Sequence, residues 1–179
     1  VAALSKIIKN PQRPLVVLVG GSKVETKGAF IDAISETADF VLLGNLISNA
    51  VPKGGTNFRH EEKIVRPVDG IPGQGIEFDI GLETIALFGE HIKQAKTVFW
   101  SGPMGKIEEK EYEEGSIALA RMIVESGAYS VAGGGDLLKT WAQDRVAAGT
   151  YVEDYDLKTI LLHLHNDLGT SKVLLVGHS

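Results

Sequence analysis

The sequence predicts an α/β fold: a doubly wound, mostly parallel sheet with helices on both faces. Two observations carry this. β-type runs recur along the chain, and most are continuously apolar rather than alternating, the pattern of strands buried on both faces of a parallel sheet. Helical patterns lie between them, and strand and helix alternating at these lengths make βαβ units. A third observation points to function. Glycines cluster where the apolar runs end, and in such a sheet ligands bind beyond the carboxyl ends of the strands.

The elements follow in order. "LVVLVG" (15–20) is the first strand, and residues 26–37 are a helix carrying Phe30, Ile31, Ala33 and Ile34 on one side. "FVLLG" (40–44) is the next strand; the "NLISNAV" after it is poorer in glycine and says little. Residues 51–75 are rich in glycine and proline and read as a long loop holding one edge element around "KIVRP" (63–67). Residues 82–93 are a helix with Leu82, Ile85, Ala86 and Phe88 along it, and "TVFW" (97–100) is a strand. Residues 111–126 are a helix carrying Ile117, Ala118, Ala120, Met122 and Ile123, followed by the strand "YSVAGG" (129–134). Helices at 136–147 and 157–167 and the strand "KVLLVG" (172–177) complete an arrangement of Rossmann-like type, with no internal repeat.

Composition narrows the function classes. The 179 residues suit one domain, and 44% apolar with 23% charged residues supports a sizeable core. The chain opens on Val1 within a helix-like pattern, so a fragment or an excised domain is expected. A net charge of −5 gives a nucleic-acid partner no electrostatic support. No apolar run reaches the ~18 residues of a membrane span, and no signal peptide opens the chain. Without cysteine there is no disulfide framework, which fits a reducing compartment. A cytoplasmic monomer is the expectation.

The strand ends hold the candidate site. After the first strand, "GGSKVETK" pairs Gly20 and Gly21 with Lys23 and Lys27. Paired glycines let amide groups approach an anion, and a helix N-terminus adds positive potential. The pattern is not that of a Walker loop, and it equally fits a tight turn with solvated lysines. After "TVFW" comes "SGPMGKIEEKEYEEG", in which Gly102, Pro103 and Gly105 fix a rigid turn just past the strand end. Glu108 could accept bonds from ribose hydroxyls or simply begin an acidic helix start. After "YSVA" comes "GGGD", where Asp136 is either a helix N-cap or a ligand of Mg²⁺ beside phosphates. The five histidines form no metal constellation. A dinucleotide-binding oxidoreductase is poorly supported, because no G-x-G-x-x-G follows the first strand.

Together these strand ends resemble the nucleotide-binding C-terminal domain of phosphoglycerate kinase. "GGSKVETK" resembles that family's Gly-Gly-Ala-Lys-Val-x-x-Lys, "FWSGPMGKIE" its Trp-Asn-Gly-Pro-Met-Gly-x-Phe-Glu, and "SVAGGGD" its Gly-Gly-Gly-Asp-Thr/Ser. "DIGLET" (79–84) resembles Asp-Ile-Gly-Pro-x-Thr, and "NPQRPLVVLVGG" the interdomain Asn-Pro-x-Arg-Pro. The motifs keep their order and approximate spacing over roughly residues 3–142. The resemblance implies a single nucleotide-binding domain: a helix and linker over 1–13, a family-like core over 14–146, and a divergent helix–strand tail over 147–179. It implies that Lys23 and Lys27 contact nucleotide phosphates, with Lys27 nearest the transferred group and therefore catalytic. Gly20, Gly21, Ser22, Gly44, Ser101 and Gly102 would line the nucleotide site, and Glu108 would hold the ribose. Gly134 and Gly135 would offer backbone to the phosphates, and Asp136 would hold Mg²⁺.

The implied reaction is the glycolytic phosphoryl transfer between 1,3-bisphosphoglycerate and ADP, with Mg²⁺ and ATP/ADP as cofactors and an acceptor domain that is not in this chain. Without acceptor-side arginines the chain alone is not expected to be a competent kinase. The alternative is a non-catalytic adenine-nucleotide-binding or interaction module on the same fold. Departures bear on that choice. Ser101 stands where the family has Asn, Leu137 where it has a hydroxyl residue, and Leu82 where it has Pro. "GNLISNA" (44–50) replaces a glycine-rich segment bordering the adenine, so Asn45 is expected to crowd the base pocket. The tail faintly resembles a helix–strand unit of the family's other domain, but a replacement strand completing the sheet is preferred.

Overall fold

Leu15–Val19 (β1) is fully buried at every residue, as a central strand covered on both faces must be. The computed structural model describes residues 10–21, 24–51, 58–72, 76–133 and 173–176. After β1 come Val24–Ser35 (α1), Phe40–Leu43 (β2) and Asn45–Ala50 (α2). A short 3-10 turn, Glu61–Lys63, leads into Ile64–Val65 (β3), Gly70–Pro72 (β4) and Glu77–Ile80 (β5). Leu82–Gln94 (α3), Thr97–Ser101 (β6), Glu114–Ser126 (α4), Tyr129–Gly133 (β7) and Val173–Val176 (β8) follow.

The main sheet has six strands in the order β3-β2-β1-β6-β7-β8, every neighbouring pair parallel. Alternate residues of each strand face opposite sides. Val16, Leu18, Leu42, Val98 and Trp100 pack under α3 (Ile85, Phe88, Ile92) and α4 (Leu119, Ala120, Ile123). Leu15, Val17, Val41, Leu43, Phe99 and Val131 pack against α1 (Ile31, Ile34) and α2 (Ile47). The doubly wound α/β expectation therefore holds, and the strand expected at 172–177 is the edge strand β8.

Three readings of the sequence are corrected. The segment over 51–75 is more than a loop with one edge element. It supplies β3 at the sheet edge and also β4, which pairs antiparallel with β5 in a separate hairpin. "NLISNA", which had no element assigned, is the short helix α2. The helix expected over 111–126 is interrupted, with a 3-10 turn at Lys110–Tyr112 before α4 begins. The helices expected at 136–147 and 157–167 lie outside the described residues.

The hairpin also supplies a helix cap from a distance. Gly81 at the start of α3 offers no side chain to the open amides of the first turn. Asp69 does so instead, accepting from Glu83 N (3.0 Å), Thr84 N (2.7 Å) and the Thr84 hydroxyl (2.5 Å). Burial pulls the Asp69 carboxyl upward, but the Thr84 hydroxyl and these amides outweigh it and hold it below its usual range. No described helix is long and apolar enough to cross a membrane.

Candidate functional site

β1 and β6 lie side by side where the strand order reverses: the chain runs outward to β2 and β3 on one side and to β7 and β8 on the other. This is the topological switch point, where the carboxyl ends of such sheets open a crevice. Register brings the expected strand ends to this edge, with Val19 opposite Leu43 on one side and Ser101 on the other, and Ser101 opposite Gly133. Gly20, Gly21, Gly44, Ser101 and Gly102 thus gather as predicted. Ser22, Lys23, Gly134, Gly135 and Asp136 lie outside the described residues.

The turns meet backbone to backbone. Gly20 N donates to Ser101 O at 2.9 Å, Gly21 N to Pro103 O at 2.7 Å, and Gly44 N to Val19 O at 2.9 Å. A Cβ on Gly20 would overlap Pro103 O, and one on Gly44 would come within 2.8 Å of Met104 O. Gly102 adopts φ +81°, a conformation natural only to glycine. Gly20, tight against Pro103 O, and Gly21, at φ +88°, are therefore required by the meeting of these turns, in line with the tight-turn reading of the sequence. The Gly20 and Gly21 amides, expected to approach an anion, are engaged by the loop that follows β6.

Lys27 stands in the first turn of α1 and reaches back over both turns. Its Nζ donates to Gly20 O at 2.5 Å and to Ser101 O at 3.0 Å. No carboxylate lies within ion-pair distance of it among the described residues, and burial lowers its pKa below the ordinary lysine value. An ammonium has three donors. One N–H of Lys27 therefore has no acceptor among the described residues, and it sits at the switch point.

The loop after β6 is braced from behind. Trp100 Nε1 donates to Gly102 O at 2.7 Å, Met104 N to Ser116 Oγ at 2.9 Å, and Lys106 N to Phe78 O at 2.9 Å. Glu108 is exposed in the turn that Glu109 N closes onto Lys106 O at 3.0 Å. Among the described residues no hydrogen bond or ion pair holds its side chain, whereas its neighbour Glu109 pairs with Lys106.

Asn45 does not behave as expected. Its side chain is buried and turned away from the strand-end turns, with Nδ2 donating to Asp79 O at 2.5 Å and reaching Asp69 O at 3.5 Å. It ties α2 to the β4–β5 hairpin instead of crowding a base pocket. Asp79 was quoted in "DIGLET" without a role of its own. An aspartate at the apolar end of a strand was the signal that could have marked it.

A family model described as phosphoglycerate kinase matches residues 1–56 and 51–152. The chain belongs to the phosphoglycerate kinase family. The phosphoglycerate kinase of Mycoplasmoides gallisepticum is 33% identical over 180 residues, which cover 75% of this chain and 44% of that protein. That of Buchnera aphidicola is 32% identical over 171 residues, with 76% and 44% covered. The solved phosphoglycerate kinase from Coxiella burnetii matches with a TM-score of 0.70 and 27% identity, over 92% of this chain and 53% of that one. The enzyme from Pyrococcus horikoshii shares the fold, with a TM-score of 0.67 and 23% identity over 79% of this chain and 47% of that one. The chain thus spans 44% of the length of the two curated phosphoglycerate kinases.

Asp136, the residue expected to hold Mg²⁺, lies outside the described residues. No group of three His, Asp or Glu side chains among the described residues could cage a metal ion. Mg²⁺ commonly takes only one or two carboxylates and completes its shell with water and substrate phosphates.

Proposed function

We propose that this chain binds an adenine nucleotide at the β1/β6 switch point and is the nucleotide-binding part of a phosphoglycerate kinase. The reaction served is phosphoryl transfer between 1,3-bisphosphoglycerate and ADP. The observation that carries the reading is Lys27. A cation held by two backbone carbonyls and having, among the described residues, neither a carboxylate counter-ion nor an acceptor for its third N–H suits a site that receives an anion.

Phosphoryl transfer asks the protein for positioning and charge stabilisation more than for covalent chemistry. In this reading Lys27 directs its remaining N–H to a phosphoryl oxygen, and its partial burial strengthens the interaction. The Gly20–Gly21 and Ser101–Gly102 turns form the floor, and Gly44 the adjoining wall. Glu108, exposed beside this loop, would reach the ribose hydroxyls. Lys23, Gly134 and Gly135 would bind the phosphates, and Asp136 would hold Mg²⁺, which supplies charge neutralisation when bound. The acceptor would be bound by a further domain, which must exclude water and align the two reactants. A cytoplasmic monomer belongs to the same proposal.

One observation favours the alternative of a non-catalytic module: Lys27 and the Gly20 and Gly21 amides all serve to hold the loops together. Titration of the chain with Mg-ADP in a calorimeter tests binding. Saturable one-to-one heat supports the reading, and no heat overturns it. Adding a phosphoglycerate-binding domain and assaying coupled transfer then separates kinase from binder.

A further inference from the structure

Asp79 is a buried carboxylate that the proposed mechanism does not use. It lies in β5 with no exposed surface. Its Oδ1 accepts from Ile80 N at 2.8 Å, and its Oδ2 accepts from Gly115 N at 2.8 Å in the first turn of α4. A helix N-terminus suits an anion. Two glycines make room for it. A Cβ on Gly115 would lie 2.6 Å from Oδ1, and one on Gly105 would overlap the same oxygen.

This placement matters for the switch-point site. The Asp79–Gly115 bond fastens β5 to the start of α4, and each of those elements offers one acceptor to the loop after β6. Phe78 O, one residue before Asp79, takes Lys106 N, and Ser116 Oγ, one residue after Gly115, takes Met104 N. Between those two anchors lies Gly105, in contact with Asp79 itself. The far side of the same loop holds Gly21 N through Pro103 O, and Lys27 through Ser101 O. Asp79 also accepts Asn45 Nδ2 at its main-chain carbonyl, which brings in the start of α2.

We propose that Asp79 is a positioning residue for the switch-point site: by locking β5 to the first turn of α4 it fixes the loop after β6, and through that loop the Gly20–Gly21 turn and the Lys27 ammonium. Neutral asparagine cannot replace it, because both oxygens accept from amides and an amide NH₂ would face an N–H. Protonation of the carboxyl has a milder effect of the same kind, turning one acceptor into a hydroxyl. Burial raises the Asp79 pKa to about 6, the Gly115 and Ile80 amides pull against it, and Glu114 on α4 adds to the rise. Among the described residues Tyr112 also stands at this corner, with its carbonyl facing Gly105, and Lys106 is paired with Glu109.

The test is amide hydrogen exchange on the full chain, comparing the parent with Asp79→Asn. Exchange at Gly21 and Met104 should quicken about 10-fold relative to Val17 in β1, the size of one charge-assisted hydrogen bond lost. If Asp79→Asn does not fold, the parent carries the test, since protection at Gly21 and Met104 relative to Val17 should drop below about pH 6. Unchanged relative protection overturns the proposal. A second readout rests on the nucleotide-binding reading. Asp79→Asn should weaken Mg-ADP binding about 10-fold above pH 7, and the gap should narrow toward pH 5 as the parent becomes protonated. If the parent binds no Mg-ADP, the nucleotide reading fails while hydrogen exchange still decides the role of Asp79. A gap that stays constant with pH contradicts positioning through the carboxylate.

Discussion

Lys27 Nζ donates to Ser101 O at 3.0 Å, joining residues 74 positions apart in the chain at the two strands where the strand order reverses. A lysine that closes this seam while one N–H has no acceptor among the described residues has two separable jobs in the proposed reading. It holds the loops, and in the function proposed above it offers charge to a phosphoryl group.

Replacing it separates them. Lys27→Ala should lower coupled phosphoryl transfer by about 10²-fold or more, as loss of a preorganised charge stabiliser does. Mg-ADP affinity should fall much less. The measurement is calorimetry and a coupled assay on the chain supplied with a phosphoglycerate-binding domain. Equal losses in affinity and turnover would mean that Lys27 serves ground-state binding alone.

Asn45→Gly should destabilise the fold without tightening nucleotide binding. The substitution removes a buried amide bonded to Asp79 O and places glycine at the first position of α2. A cost of about 1–3 kcal/mol in urea unfolding follows. Tighter Mg-ADP binding by this variant would restore the idea of a crowded base pocket.

Gly20→Ala should damage the site itself. The added methyl overlaps Pro103 O, which is backbone and cannot swing aside. A loss of about 2 kcal/mol or more is expected, together with broadened or shifted resonances at Gly21, Gly102 and Pro103. A variant as stable as the parent would show that the two turns do not meet as described.

Asp79 sets a pH dependence whose sign is unusual for a carboxylate. Its folded pKa, about 6, lies above the unfolded value of 3.8, so the folded state holds the extra proton between them. Its contribution to stability is therefore best at low pH and is lost as pH rises through about 6. Asp69, held below its usual range, works in the opposite direction. The stability of the parent relative to Asp79→Asn should fall by on the order of 2 kcal/mol from about pH 4 to pH 7. A flat difference would mean that the carboxyl is not desolvated. Global stability thus gains from the proton even while the loop after β6 loosens locally, because relief of desolvation and loss of an acceptor act on different parts of the molecule.

The main sheet was legible because β1, β2, β6 and β7 are buried on both faces and so print continuous apolar runs. The β4–β5 hairpin was not, because its strands are short and Gly70, Pro72 and Glu77 break any apolar signal. The helix α2 escaped because a single polar turn-and-a-half, "NLISNA", shows no periodicity to read. At the site, order along the chain located Gly20, Gly44 and Gly102 correctly at one edge, but it could not name their partner. Close approach of backbone to an anion and to another loop ask the same thing of a glycine. Asn45 was misassigned for a related reason. Position past a strand end fixes where a residue stands, while the direction of its side chain depends on the helix that begins there.

The central claim is that an adenine nucleotide binds at the switch point between β1 and β6. Amide resonances mapped during titration of the chain with Mg-ADP test it most directly. The account predicts saturable shifts concentrated at Gly20, Gly21, Lys27, Gly44, Ser101 and Gly102, with β3 and the exposed Ile71 of β4 unaffected. Shifts confined to the opposite edge of the sheet, or no shifts at saturating Mg-ADP, would contradict it.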